Sequence, residues 1–267
     1  MRSLGLLTAL AIAAAAQESP TAASPRWKLA WSDQFDGPAN SPPDPAKWTY
    51  DLGNNKGWGN QELEIYTNSV ENAHLDGQGH LIIRASKDSS GKYSSARLKT
   101  LGKFAAQYGK IEARIKIPHG QGIWPAFWAL GTDIRKVGWP QCGEIDIMEN
   151  IGREPGIQHG SLHGPNYGDS VTAAYTLPSN EKLSDEFHVY GIVWSKDRVQ
   201  FFFDGHPYLY VTPASLPAGA PWVFNKPVYL LLNVAVGGSW PGSPDATTVF
   251  PQEMVVDYVS VFEPVGQ

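Results

Sequence analysis

The feature that most restricts this chain is a succession of short apolar segments with a two-residue period, and no helical period of any length. Lys110 to Ile117 alternates charged and apolar residues, as a strand with one buried face does. Leu81-Ile82-Ile83-Arg84-Ala85 follows a Gly-containing turn and reads as another strand. Phe187 to Trp194 and Arg198 to Phe203 make a hairpin around Ser195-Lys196-Asp197, and Asp204-Gly205 supplies the next turn. Val228 to Val236 is almost unbroken apolar sequence around Asn233, and Val255 to Phe262 closes the set. Many strands punctuated by Gly and Pro predict an all-β, two-sheet sandwich. The chain has 267 residues, no visible internal repeat and no mark of a second core, so one large domain is expected.

Within this pattern the stretch Gly143-Glu144-Ile145-Asp146-Ile147-Met148-Glu149-Asn150 stands apart. Its β-branched content favours a strand, yet it carries three carboxylates. Alternation puts Glu144 and Asp146 on one face and Ile145 and Ile147 on the other. Strict alternation would send Glu149 to the isoleucine face. A bulge near Ile147-Met148 absorbs one residue and returns Glu149 to the acidic face. Glu144 and Glu149 then stand about four strand steps apart, roughly 13 Å at Cα. Leaning together, two glutamates bring their carboxyls to about 5–5.5 Å, the separation that a retaining glycosidase uses. Asp146, between them, is placed to hydrogen-bond one partner. Charges this near cannot all ionise, so at least one pKa rises, as a general acid at neutral pH requires. A merely solvated acidic edge would stack like charges with nothing gained. A calcium site is the third reading, but the spacing lacks the glycine-turned loop of an EF-hand and apolar residues fill the gaps.

Lys and Arg number 21 against 26 Asp and Glu, a net charge of −5 spread along the chain. That balance argues against nucleic acid and anionic membrane as partners and fits a neutral polymer. Ten Trp point to surfaces that stack flat ligands. Arg2 and the apolar run Leu4 to Ala16 read as a secretory signal over residues 1–16, with a secreted or periplasmic destination. The run is too short for a comfortable membrane span. Residues 17–26, rich in Ser, Pro and Ala, read as a disordered linker, which leaves 27–267 as the domain. Cys142 is the only cysteine and can form no internal disulfide. With no Cys-His pairing legible nearby, it reads as a small buried hydrophobe.

Glu144-Ile145-Asp146-Ile147-Met148-Glu149 resembles the signature of glycoside hydrolase family 16, in the form carried by its laminarinase-like endo-β-1,3-glucanases. Without the extra residue the signature resembles the licheninase branch, so Met148 is itself informative. The similarity continues in Tyr108 to Arg114, Gly120 to Trp128 and Gly237 to Gly242, and covers nearly everything from Trp27 to Glu263. It implies a concanavalin-like jelly-roll sandwich whose concave sheet forms a substrate groove. It also implies retaining cleavage of internal β-1,3-glucan linkages, with Glu144 as nucleophile, Glu149 as acid/base and Asp146 orienting Glu144. No organic cofactor is implied, and a monomer is expected.

Indoles stack on the apolar faces of sugars, and the resemblance places Trp124 and Trp128 on the glycone side of the cleft. Trp240 is similar to a family position that contacts sugar, and Arg97 resembles a groove arginine of the laminarinase branch. Asn60, in a Gly-rich loop, matches an asparagine that hydrogen-bonds substrate hydroxyls, with a turn-forming Asn as the alternative. His163 should lie on the strand after the acidic one, against Glu149 or the sugar on the leaving side. The family has a histidine here, which favours His163 over His159; no second His or Cys at ligand spacing argues against a metal role. Trp27, Trp31, Trp48, Trp194 and Trp222 read as structural. Asp257 matches an aspartate that in relatives helps bind a structural Ca2+, although Gln34 stands where relatives often carry Glu, which weakens a hard-cation site. The rival readings are a mixed-linkage β-1,3-1,4-glucanase, a sugar-transferring enzyme, and a β-glucan-binding recognition protein of the same fold. A pure binder has no use for the acid triplet.

Overall fold

The computed structural model describes residues 26–168, 171–178 and 181–265. The signal reading of 1–16 and, Arg26 apart, the linker reading of 17–26 lie outside the described residues. Arg26 opens a strand, Arg26–Asp33, which pairs antiparallel with Gln252–Val265.

Among the described residues, seven antiparallel strands form one sheet, in the order Thr172–Thr176, Ile157–His163, Glu144–Glu149, Ile123–Gly131, Val228–Val236, Arg97–Lys99 and Thr49–Asp51. The second sheet has ten strands among the described residues. Its main path runs His206–Val211, Arg198–Phe203, His188–Ser195, Gly109–Lys116, Gln252–Val265, Leu81–Lys87, Tyr93–Ser95 and Glu64–Tyr66. Arg26–Asp33 and Ala73–Leu75 join alongside. Among the described residues, helix is confined to one turn at Ile134–Val137 and a 3-10 turn at Pro213–Ser215. The expected two-sheet sandwich is the observed architecture.

Gly109–Lys116 buries every second residue, as its alternation predicts. Ile111, Ala113 and Ile115 meet Phe127, Ile145, Leu230, Leu232 and Val234 of the opposite sheet in one core. Val228–Val236 is buried along its whole length because both of its faces are covered. Val228, Leu230, Leu232, Val234 and Val236 enter the main core, whereas Tyr229 and Leu231 join Leu130 and Cys142 in a small cluster against Trp128. Cys142 therefore packs, as expected. Burial, then the charges of Glu144 and Asp133, pushes its thiol up to about 11, which makes it a poor nucleophile. Trp48 and Trp194 are core residues too, and Trp31 stacks on Phe104 at 4.8 Å.

Candidate active site

The acidic strand carries the expected bulge. On one side Asp146 pairs with Ser161 and Glu149 with His159; on the other, Asp146 pairs with Trp128 and Glu149 with Ala126. Both neighbours advance two residues while this strand advances three, so one residue is surplus. Ile147 and Met148 both sit in the hydrophobic core at 0% exposure. Two consecutive core-facing residues return Glu149 to the face of Glu144 and Asp146, and all three acids line one groove of about 640 Å³. The groove's walls include Trp58, Asn60, Arg97, Trp124, Trp128 and Trp139.

Each carboxyl has its own partners. Trp139 Nε1 donates to Glu144 Oε2 at 3.0 Å, and Trp124 Nε1 donates to Glu149 Oε1 at 3.0 Å. His163 Nε2 lies 3.0 Å from Asp146 Oδ2, and Asp146 is within hydrogen-bond reach of Glu144. Burial, then the charges of Asp146 and Glu144, holds Glu149 well above the ordinary glutamate range, against the opposing pull of His163 and the Trp124 N–H. Burial raises Asp146 as well. Glu144 is also pushed up, by burial and Asp146, but His163, Arg97 and the Trp139 N–H oppose the shift. The Arg97 guanidinium thus acts on Glu144. A site that keeps a proton on one carboxyl and supports charge on another is equipped for paired acid and nucleophile chemistry.

Arg97 is held from three sides. Its guanidinium lies between the rings of Trp58 and Trp128, 4.7 and 4.5 Å from their centroids, and Nε is 3.2 Å from Asp51 Oδ2. Trp58 has φ 52°, a backbone conformation uncommon for a bulky side chain, within a loop where Asn55, Lys56, Gly57, Gly59 and Gln61 are also left-handed. Trp58 and Trp139 are groove residues that sequence reasoning did not single out. The glycines flanking Trp58 were the available signal; Trp139 had none, because nothing local says that its loop folds over Glu144.

Asn60 and Arg97 line the groove as expected, together with Trp124 and Trp128. Trp240 stands edge-on to Trp124, 5.4 Å between centroids, at the Glu149 end. Of the two positions expected for His163, contact with Glu149 is not the one found: it pairs with Glu144 and touches Asp146, whereas His159 is the histidine opposite Glu149. His159 also packs edge-on to Trp240 at 5.1 Å. The surplus residue brings His159 opposite Glu149, whereas His163 pairs with Glu144 ahead of the bulge. Glu144, Asp146 and His163 offer ligand atoms within 4.8 Å of one another, a grouping that no two-histidine spacing announced.

Asp257 lies on Gln252–Val265, where Arg114 Nη1 donates to its Oδ2 at 2.6 Å. The same guanidinium covers the Phe187 ring at 4.4 Å. A carboxylate already neutralised by a guanidinium, with Gln34 in place of a second acid, fits a hard cation poorly.

A sandwich with an indole-paved groove and carboxyls displaced from their ordinary range has the equipment of a glycosidase. The chain belongs to Glycosyl hydrolases family 16, whose family model matches residues 59–260, and it is a glycoside hydrolase with that family's jelly-roll fold. It is 40% identical over 257 residues to the Beta-glucanase of Rhodothermus marinus, covering 90% of this chain and 86% of that protein. The endo-beta-1,3-glucanase structure from Pyrococcus furiosus is 48% identical, with 91% of this chain and 97% of that chain covered and a TM-score of 0.84. The laminarinase catalytic domain from Thermotoga petrophila RKU-1 is 46% identical, with 91% and 100% covered and a TM-score of 0.85.

Proposed function

We propose that this chain is a secreted, monomeric, retaining endo-β-1,3-glucanase acting on internal linkages of laminarin-type polymers. The carrying observation is the register shift between Asp146 and Glu149, present against both neighbouring strands, which puts two glutamates on one groove face. Glu144 attacks the anomeric carbon while Glu149 passes its proton to the departing glycosidic oxygen, so the C–O bond breaks as the glycosyl ester forms. Glu149, now anionic, takes a proton from water as that water attacks the same carbon and releases Glu144. The proton between Glu144 and Asp146 rests on Asp146 when Glu144 attacks. The Trp139 N–H, 3.0 Å from Oε2, fixes the nucleophile's orientation. A Trp58–Arg97–Trp128 stack supplies a flat, partly charged surface on the glycone side.

Export is read from Arg2 and the apolar run Leu4 to Ala16. The preference for β-1,3 linkages is supported by the relatives named for that activity. The test is product analysis on laminarin, barley mixed-linkage glucan, agarose and carrageenan, with Glu144→Gln alongside. Laminarin should be cut internally by the wild type, while the variant binds laminari-oligosaccharides without cleaving them. Wild-type turnover in Glu144→Gln, or faster cleavage of barley glucan than of laminarin, contradicts the assignment.

A further inference from the structure

Beside the acid triplet, Glu62 lines the same groove with Glu64 buried next to it, a second pair of acids that the chemistry above does not use. Glu62 is 7% exposed and Glu64 is 0% exposed. Three hydrogen-bonded side chains point one way toward them. Trp128 Nε1 donates to Asn233 Oδ1 at 2.8 Å, and Asn233 Nδ2 donates to Tyr66 Oη at 3.1 Å. Tyr66 Oη in turn donates to Glu62 Oε2 at 3.2 Å. From the other side, Asn60 Nδ2 donates to Glu62 Oε1 at 3.0 Å. Glu62 is therefore the acceptor on which two groove residues, Trp128 and Asn60, are both anchored.

Glu64 completes the arrangement. Its Oε2 accepts the Val236 N–H at 2.7 Å, its buried Oε1 has no donor against it, and its carboxyl lies within hydrogen-bond reach of the Glu62 carboxyl. Two carboxyls held this close are accommodated best when one carries a proton. Burial, then the charge of Glu62, pushes Glu64 up to about 8, which favours the proton on Glu64. With a proton on Glu64, its carboxyl is placed to donate to Glu62 as a third converging donor.

We infer that Glu62, backed by Glu64, is a positioning residue for glycone binding: it fixes the amide of Asn60 and, through Tyr66 and Asn233, the indole of Trp128. A carboxylate only accepts, so Asn60 must turn its nitrogen inward. That leaves Asn60 Oδ1 toward the groove, an acceptor for a donor hydroxyl of the bound sugar. Among the described residues no hydrogen bond occupies that oxygen. The specificity is chemical: a sugar hydroxyl must donate at this point, and an analogue lacking it leaves Oδ1 unpaired.

The sugar arm of this inference rests on the glucanase reading; the anchoring arm does not. Glu62→Gln is isosteric but brings an NH2 to a point where only donors converge, so Asn60 must flip or Tyr66 must turn away. With no sugar present, the Trp128 indole N–H resonance of tryptophan-labelled protein should shift in Glu62→Gln. KM for laminarihexaose should rise about tenfold, with kcat falling far less, since a lost hydrogen bond to a charged group weakens binding by about that factor. Glu64→Leu should do the same. Glu64→Gln, which keeps a donor facing Glu62, should restore both the resonance and KM, a rescue that a packing role would not produce. An unmoved indole resonance in Glu62→Gln, or Glu64→Gln behaving like Glu64→Leu, overturns the inference. A wild-type enzyme that leaves laminarihexaose intact overturns the glucanase reading instead, and the resonance then decides the anchoring by itself.

Discussion

Replacing Glu149 by Gln should cost activity and add stability, and the second effect has a calculable pH signature. Glu149 is 9% exposed and shares the groove with two other acids, which holds its carboxyl well above the ordinary value of 4.5. The folded protein therefore keeps a proton that the unfolded chain releases once pH exceeds the ordinary value. A raised carboxyl pKa means stability is present at low pH and lost as pH rises toward the folded value. The loss is about 1.4 kcal/mol per pH unit for one group. Gln carries no such dependence. Between about pH 5 and pH 7, Glu149→Gln should gain on the wild type by up to roughly 3 kcal/mol, less whatever Glu144 and Asp146 release by sharing protons differently. Urea unfolding at several pH values, read as midpoints with an unchanged slope, gives the difference directly. Hydrolysis of laminarin should fall about 10²- to 10⁴-fold, the usual contribution of a general acid. An activated aryl glycoside, whose leaving group needs little protonation, should lose much less. A stability gain that does not grow with pH refutes the electrostatic argument. Equal losses on the two substrates refute the acid role.

Three further outcomes are expected. Deleting Met148 removes the surplus residue and leaves Glu144-Ile145-Asp146-Ile147-Glu149 in strict alternation, so Glu149 should stay on the acidic face of a regular strand; laminarin hydrolysis should persist at a reduced rate with a lower Tm from the lost buried side chain, and abolished activity in a folded variant would show that the bulge itself sets the spacing of the two glutamates. Trp139→Phe keeps the ring but removes the donor to Glu144, so kcat should drop by about tenfold at most, because water reaches this exposed site and replaces part of the bond. EDTA should leave Tm unchanged, since Arg114 already neutralises Asp257; a fall in Tm reversed by Ca2+ would place a cation there.

The acid triplet was legible because a single insertion breaks a strict two-residue period, and the only way to keep both glutamates on one face is a bulge. The strands around it were legible for the same reason: Gly109–Lys116 and Val228–Val236 announce by period and by continuity which faces are covered. What escaped was set by distance across the fold. Trp139 reaches Glu144 through a loop whose path no local pattern encodes, and Trp58 meets Arg97 only because its loop curls through a run of left-handed residues. The histidine register escaped because antiparallel pairing sets His163 against Glu144, ahead of the bulge, where its side chain reaches Asp146, while the surplus residue brings His159 in place of Gln158 opposite Glu149. Glu62 and Glu64 resemble ordinary polar loop residues until a second sheet closes over them.

Double displacement at the Glu144–Glu149 pair can be tested by the anomeric configuration of the first product. Proton NMR of laminarihexaose cleavage, recorded before mutarotation, should show the new reducing end appearing as the β-anomer, as two inversions at one carbon require. Initial release of the α-anomer would mean that water attacks directly and that the two carboxyls stand too far apart for Glu144 to be the nucleophile.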